Sequence, residues 1–455
     1  MNESVLQTLL ADLRAKHGVV GCSAGVLVDG EITTAASGLL NLKTNVECTS
    51  DSVFQIGSIG KVFTATLMMQ LVDEGRVHLD DTVIEHLPDF AIADPGAASV
   101  ITVRQLLNHT SGMDGDFFPG DDSEGASTAS YVRKMALLPN LYPPGAGPMT
   151  YCNAGYVAAG RIIEVRTGMT WPNAVMERIC RPLGMPAAFS RPREALRFRC
   201  AMGHIADPAD AARVIVAPVT FPSLSAAAAG SVLSMSAESL LLFAKAHMAD
   251  GAYGAYRPLL SATNAQTMRE DKVPIPLFSR PGVTHWGLGW SVCDDGAYKM
   301  AGHDGATLGQ YAYLRTFPER GVAISLLTNS PSAKLFEAVE KTLMNSLMGL
   351  SRREDPPQEI VEVSREIYVG DYANIGARYS VAIRDSQLTL DYASRSSNGV
   401  SFTGVLEPWR ADTFALRTEN PLYNGQKVVF VGDNGDRATF IRAGVRMARR
   451  TDACQ

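Results

Sequence analysis

The stretch Phe54-Gln-Ile-Gly-Ser58-Ile-Gly-Lys61-Val-Phe-Thr-Ala-Thr-Leu-Met-Met-Gln-Leu-Val-Asp-Glu-Gly75 sets a serine just after a glycine and just before a long apolar run. Leu67, Met68, Leu71 and Val72 recur at helical spacing and Gly75 supplies a stop, so the pattern predicts a helix headed by Ser58 and Lys61. Three residues apart, these two share a face. The unpaired N–H groups and positive potential of a helix N-terminus suit an oxygen nucleophile, and a neighbouring amine can take its proton. Ser-x-x-Lys also arises by chance in long chains. The plain alternative is a serine near a helix cap beside a solvated lysine, so the motif gains weight only from company.

At 455 residues the chain has material for two or three domains. Its 46% apolar and 19% charged content is that of an ordinary globular protein. A net charge of −6 without a long Lys/Arg run excludes a nucleic-acid partner. The seven cysteines are scattered and form no C-x-x-C, which predicts a reducing compartment and neither a disulfide framework nor a zinc site. The N-terminal segment sets Leu6, Leu9, Leu10 and Leu13 on one helical face and lacks the features of a signal peptide. No run is long enough to span a bilayer. The expectation is a cytoplasmic protein with no membrane partner and no cofactor or metal.

Along the chain, Gly21–Gly30 and Glu31–Gly38 read as a hairpin turning at Asp-Gly. Val100–Gly112 reads as a short helix running into a turn, where His109 and Ser111 are expected to serve the backbone. Residues 113–148 are rich in Gly, Pro and Asp, the composition of a segment that shapes a cleft, with one helical piece around Tyr131–Leu138. Tyr151-Cys-Asn153 opens a second apolar helix, and Trp171 to Leu183 reads as helical again. Helices are expected at Ala237–Met248 and Ala333–Met348, and strands at Trp286–Val292, Tyr298–His303, Gln310–Phe317 and Gly321–Asn329. Strands at both ends with helices between them predict an α/β (α+β) unit, an antiparallel sheet flanked by helices with an inserted helical lobe. The expected divisions are a domain over 1–350 (lobe roughly 65–230), a charged, proline-bearing linker over 351–359, and a small antiparallel β-barrel over 360–455. The barrel strands are read at Tyr379–Arg384, Gln387–Tyr392, Thr413–Thr418, Lys427–Val431 and Ala438–Arg442.

Two further pieces give Ser58-x-x-Lys61 its company. Tyr151-x-Asn153 lies in a turn, where i and i+2 can point the same way. His303-Asp-Gly305 lies on a strand, where His303 and the space over Gly305 face one side, and the glycine would admit a substrate backbone. Singly, each residue has a packing or turn-forming reading. In this order, Ser-x-x-Lys, Tyr-x-Asn and His-x-Gly resemble the serine β-lactamase and penicillin-binding-protein superfamily, whose related set is Ser-x-x-Lys, Ser-Asp-Asn and Lys-Thr-Gly. The forms here look most like its class C β-lactamase, esterase and D-peptidase branch.

The resemblance implies roles residue by residue. Ser58 would form an acyl-enzyme, and Lys61 and Tyr151 would exchange the proton. The N–H groups of Ser58 and Ala306 would form an oxyanion hole, and Asn153 would hold the substrate's amide. His303 would complete the catalytic set where the commoner motif has lysine, and Asp304 stands in place of its threonine. The weaker positive charge implies weak or no β-lactamase activity. A length near 450, no export signal and a lipocalin-like small barrel look like the stand-alone penicillin-binding-protein-type thioesterases, which release peptidyl thioesters as macrocycles. The expectation is therefore a cytosolic transacylase or peptide cyclase, with an esterase or D-specific amidase as the alternative. The partners expected are a small-molecule or peptidyl ester, thioester or amide substrate and a carrier protein. Arg442, Arg446, Arg449 and Arg450 are candidate anchors for an acyl chain, Arg446 foremost, against the simpler expectation of a solvated cluster.

Overall fold

The computed structural model describes residues 1–115, 117–119, 126–207, 210–252, 258–275, 282–296, 298–351, 357–359, 364–395, 399–420, 423–433 and 437–451. Most of the expected linker, parts of the 113–148 stretch and Cys454 lie outside them. Helix α1 (Glu3–Lys16) precedes the hairpin of β1 (Gly21–Val28) and β2 (Glu31–Asn41). That hairpin turns through Asp29 and Gly30 at φ 51° and 86°, the left-handed pair that Asp-Gly favours. With β3 (Val46–Glu47), β4 (Val273–Pro274), β5 (His285–Trp286), β6 (Ser291–Asp295), β7 (Tyr298–Ala306), β8 (Tyr311–Phe317) and β9 (Val322–Thr328) they form one antiparallel sheet. Its order is β3-β2-β1-β9-β8-β7-β6-β5-β4. Cys22 pairs with Thr328 where β1 meets β9, so the early hairpin and the late strands share one sheet across the helical insertion.

Leu6 and Leu10 of α1 pack with Leu335, Val339 and Leu343 of α7 (Ala333–Met348) on one face of the sheet. The other face carries α6 (Ala237–Met248) and the lobe built around α2 (Gly60–Asp73). Every residue of α2 from Gly60 to Leu71 is buried. The sheet and α6 cover one side, where Phe63 stacks on Phe243 at 3.8 Å. The lobe covers the rest, and Trp171 donates its indole N–H to Thr64 Oγ1 at 3.0 Å.

Two expected elements differ. Trp171–Leu183 is α-helical only over Trp171–Val175 and widens into a π turn at Met176–Cys180. Gln70 is the reason: its amide donates to Arg178 O and accepts from Arg178 Nε, each at 3.1 Å, drawing that carbonyl out of the regular ladder. The expected strand Trp286–Val292 is instead a tight hairpin, with Trp286 opposite Ser291 and His285 opposite Val292. Gly289 at φ 89° turns the chain back on itself.

The barrel closes through β10 (Gly370–Ala373), β11 (Ala377–Arg384), β12 (Gln387–Ser394), β13 (Ser401–Arg410), β14 (Thr413–Arg417), β15 (Lys427–Asp433), β16 (Ala438–Ala443) and β17 (Arg446–Arg450). All five expected strands are present. The first, the Pro408-bearing and the arginine-rich strands complete it. Of the four C-terminal arginines, Arg442 is 1% exposed and Arg450 6%, while Arg446 is half-buried and Arg449 is exposed as a solvated residue would be. Arg450 donates to the carbonyls of Ala438, Val369 and Ile367 and to the Tyr372 hydroxyl. Buried guanidinium groups are tolerated when their fixed fork of donors is met in this way.

The β16–β17 hairpin turns at Gly444 (φ 67°) against the lobe. Phe440 and Met447 pack with Leu141 and Tyr142, and Asp114 Oδ2 accepts from Ile375 N at 2.6 Å. Among the described residues, no helix is long and apolar enough to cross a membrane.

Candidate active site

Gly57–Ile59 form a single 3₁₀ turn feeding α2, with Gly57 at φ 52°. Ser58 is half-buried at this entrance, while Lys61 is wholly buried one turn on. The solvated-lysine alternative is thereby excluded. Lys61 Nζ donates to Ser58 Oγ at 3.1 Å and to Ala229 O at 2.6 Å. It stands 4.8 Å from the Tyr151 ring centroid and 5.7 Å from that of Tyr156. The Tyr156 hydroxyl donates to Leu107 O at 2.6 Å, and burial pushes its phenol well above the ordinary range. Tyr156 therefore acts as a neutral wall behind the amine. The Ala229-Gly230 turn that caps Lys61 lies against the Ser58 turn so closely that a Cβ at Gly230 would strike Gly57 O.

The end of β7 lies alongside Ser58. A Cβ added at Gly305 would collide with Ile56 O and come within 2.9 Å of Ser58 N; one at Gly57 would collide with the Ala306 amide. The two glycines thus let two backbone segments touch, bringing the N–H groups of Ser58 and Ala306 to one place. The side of Gly305 toward which a Cβ would point is filled by the protein's own Ser58 turn, while Gly305 also lines the cavity beside Ser58.

Asp304, on the alternate face of β7, pairs with Arg315 Nη1 at 2.5 Å, and Arg315 Nε bonds Glu340 at 3.1 Å. His303 is fully buried. Its Nδ1 donates to Asp304 O at 2.6 Å, and its ring centroid lies 6.2 Å from that of Tyr151 and 5.3 Å from that of Trp286. It backs the Tyr151 ring from one layer behind the cavity.

The backbone around Tyr151 is held from two sides. The Tyr151 N–H donates to Val445 O at 3.1 Å, and Thr150 N donates to His109 O at 3.0 Å. His109, at φ 62°, accepts from Cys152 N through Nδ1 at 3.0 Å and sets its ring 4.5 Å from that of Tyr151. This is the backbone-serving role its turn predicts. Arg442 donates to Met149 O at 2.8 Å, and Met447 N donates to Thr150 Oγ1 at 3.1 Å. Asn153 is the first residue of α3 (Asn153–Thr167) and donates its N–H to Gly115 O.

These residues surround a cavity of about 550 Å³ lined by Ser58, Tyr151, Asn153, Asp304, Gly305, Ala306 and, from the barrel, Val445 and Arg446. The Arg446 guanidinium lies 5.5 Å from the Tyr151 ring centroid. Phe118, Tyr131, Tyr311 and Tyr313 are also on its walls and were not singled out in the sequence. The signal for two of them was present: Tyr311 and Tyr313 alternate on the strand beside β7, opposite Ala306 and Asp304. Burial pushes the Tyr313 phenol up to about 12, so it is neutral at ordinary pH. Among the described residues, no group of three His, Cys, Asp or Glu side chains is arranged to hold a metal ion.

A family model described as Beta-lactamase matches residues 6–347. The chain is 38% identical over 371 residues to penicillin-binding protein 4 of Amycolatopsis lactamdurans, covering 80% of this chain and 96% of that one. Its fold superposes on the crystal structure of SurE with D-Leu at a TM-score of 0.81 and 28% identity, covering 99% of both chains. It superposes on the D-amino acid amidase from Ochrobactrum anthropi SV3 complexed with L-phenylalanine at a TM-score of 0.62 and 27% identity, covering 75% of this chain and 99% of that one.

Proposed function

Because the chain belongs to the beta-lactamase family, whose relatives here include serine hydrolases, we propose that it carries an acyl group on Ser58 and delivers it to an amine. The donor is a peptidyl or acyl thioester or ester bearing a D-configured residue, and the acceptor amine of choice belongs to the same chain, giving a macrocycle. Ser58 Oγ attacks the acyl carbon while its hydroxyl proton passes to Lys61 across the 3.1 Å contact. The oxyanion settles between the N–H groups of Ser58 and Ala306, each such donor commonly worth about 10²–10³ in rate. Collapse expels the thiol or alcohol, which recovers the proton through Lys61 or Tyr151. The incoming amine then attacks the acyl-enzyme, passes its proton along the same route and restores Ser58. Asn153 and Arg446 orient the acyl chain.

The observation that carries the transfer reading is Arg446, a cation brought from the barrel into the Ser58 cavity. The full-length likeness to SurE, barrel included, supports it, and the D-Leu in that structure supports a D-residue in the donor. A thioester donor would arrive on a carrier protein. Six described cysteines are free thiols, in keeping with a cytosolic setting. The alternative, an esterase or D-specific amidase, is favoured by the relative EstB of Burkholderia gladioli and by the amidase likeness. Mass analysis of the products from peptidyl thioester mimics, with D- or L-residues at the acyl carbon, separates the two. Cyclic product from D-ended peptides is expected; linear acid from every peptide would leave hydrolysis as the activity. A fluorophosphonate probe should label the wild type and not Ser58→Ala, and equal labelling of both would remove Ser58 as the nucleophile.

A further inference from the structure

The barrel is packed at one end and hollow at the other. Tyr368, Phe414 and Phe430 fill one end, with ring centroids 4.5 to 5.6 Å apart. At the other end a cavity of about 190 Å³ remains, and Arg446 is on its wall as well as on the wall of the Ser58 cavity. We propose that this hollow is a substrate subsite for a ring-sized apolar group, aryl or branched alkyl, whose neighbouring carboxylate or carbonyl oxygen is taken by Arg446. The proposal deepens the acyl-transfer reading and rests on it only for the identity of the occupant as substrate.

Three observations define the occupant. Tyr379, Tyr392 and Phe402 stand directly opposite one another across β11, β12 and β13, with centroids 5.3 and 4.9 Å apart, so they form one aromatic wall. Tyr423 joins it 4.6 Å from Phe402. This wall offers large apolar area at low entropic cost to the face of a ring, while Asn374, Gln426 and Arg446 on the same cavity offer polar partners to a substituent beside it. The volume is of the order of one ring, since a cavity of about 150 Å³ holds benzene. Finally, protein interiors leave few voids of this size, and leaving one open costs stability. Arg446, on the walls of both cavities, is the residue past which a side chain attached to a molecule in the Ser58 cavity would reach the barrel.

The test uses the full chain carrying Ser58→Ala, which prevents turnover, and 3-(4-fluorophenyl)propanoate, a ring with a carboxylate, followed by fluorine NMR. Saturable binding is expected, with 3,3,3-trifluoropropanoate, which lacks the ring, binding at least about tenfold more weakly. Ala443→Leu, which places a larger side chain on the cavity wall, should weaken the aryl ligand about tenfold. Tyr423→Ala, which removes one wall outside the barrel ladder, should do likewise and serves as the readout if Ala443→Leu does not fold. No saturable shift, or equal binding in folded variants, would overturn the subsite. If instead Ser58 fails to label while the aryl ligand binds as described, the acyl-enzyme reading falls and the subsite stands.

Discussion

Tyr151 gives its main-chain N–H to the carbonyl of Val445, 3.1 Å away, so the ring beside Lys61 is held from a hairpin of the barrel. Arg442 strengthens the same attachment by donating to Met149 O and Gly444 O. Arg442→Met removes those donors and keeps the apolar stem. Labelling by a small fluorophosphonate, too short to reach the barrel, should slow by about tenfold, because a displacement of about 1 Å in a reacting group can cost up to 10². Arg442→Lys should restore part of the rate. Unchanged labelling in Arg442→Met would detach the hairpin from the chemistry.

Lys61 is wholly buried and donates to Ser58 and Ala229. Lys61→Met preserves shape and should reduce the acylation rate by about 10²–10⁴, the usual worth of a positioned proton acceptor. Leaving Ala229 O without its donor costs about 1–3 kcal/mol, offset by no longer burying a polar amine. The melting temperature should therefore move by only a few degrees. Calorimetry beside single-turnover acylation separates a chemical loss from a folding loss.

Gly305→Ala would drive a methyl group into Ile56 O and toward Ser58 N. The Ser58 turn must retreat from β7, parting the two N–H groups, and acylation should fall by about 10². Gly155→Ala is the contrast: its added carbon would meet only ordinary contacts at 3.5 Å or more. Within α3 it should leave acylation intact and add about 0.5–1 kcal/mol of stability. Acylation kinetics and urea denaturation of both variants provide the comparison.

His247 lies fully inside the sheet–lobe interface between Phe243 and Trp290, with Nε2 3.0 Å from Thr66 Oγ1. Burial, with the nearby Arg269 charge adding to it, pushes its imidazole from 6.5 down to about 3. Between those values the unfolded chain binds a proton that the folded protein refuses. The stability contributed by the neutral ring is complete above pH 6.5 and declines as pH falls toward 3, by at most about 1.4 kcal/mol per pH unit. Urea midpoints across this window should fall more steeply for the wild type than for His247→Leu. Parallel slopes would show that the ring does not titrate this way.

The sequence exposed the local parts of this site better than the distant ones. Ser58 and Lys61 are neighbours on one turn, so their meeting depended on helix geometry alone. Tyr151 and Asn153 were legible as an opening helix turn, but what holds them, His109 from one side and Val445 from the other, depends on pairings no local pattern encodes. The helical spacing of α2 was legible, but not the burial of its threonines and glutamine, which depends on distant partners: Trp171 for Thr64, His247 for Thr66 and Arg178 for Gln70. Trp286–Trp290 looked like a strand through its aromatics, while Gly289 makes it a turn. The last barrel strand was missed because Arg446, Arg449 and Arg450 resemble a solvated tail. Of these three only Arg450 is buried, and its burial depends on carbonyls presented by distant parts of the barrel, Ala438, Val369 and Ile367; Arg446 is half-buried and Arg449 exposed.

Closure of the barrel joins β10 to β17, with Tyr372 opposite Arg450, and Arg446 rides on that closing strand. During synthesis, therefore, the nucleophile and its amine emerge from the ribosome long before the wall that confronts them. A nascent chain folded only through its large sheet would hold Ser58 and Lys61 without the wall that Val445 and Arg446 supply, an unfinished reaction chamber.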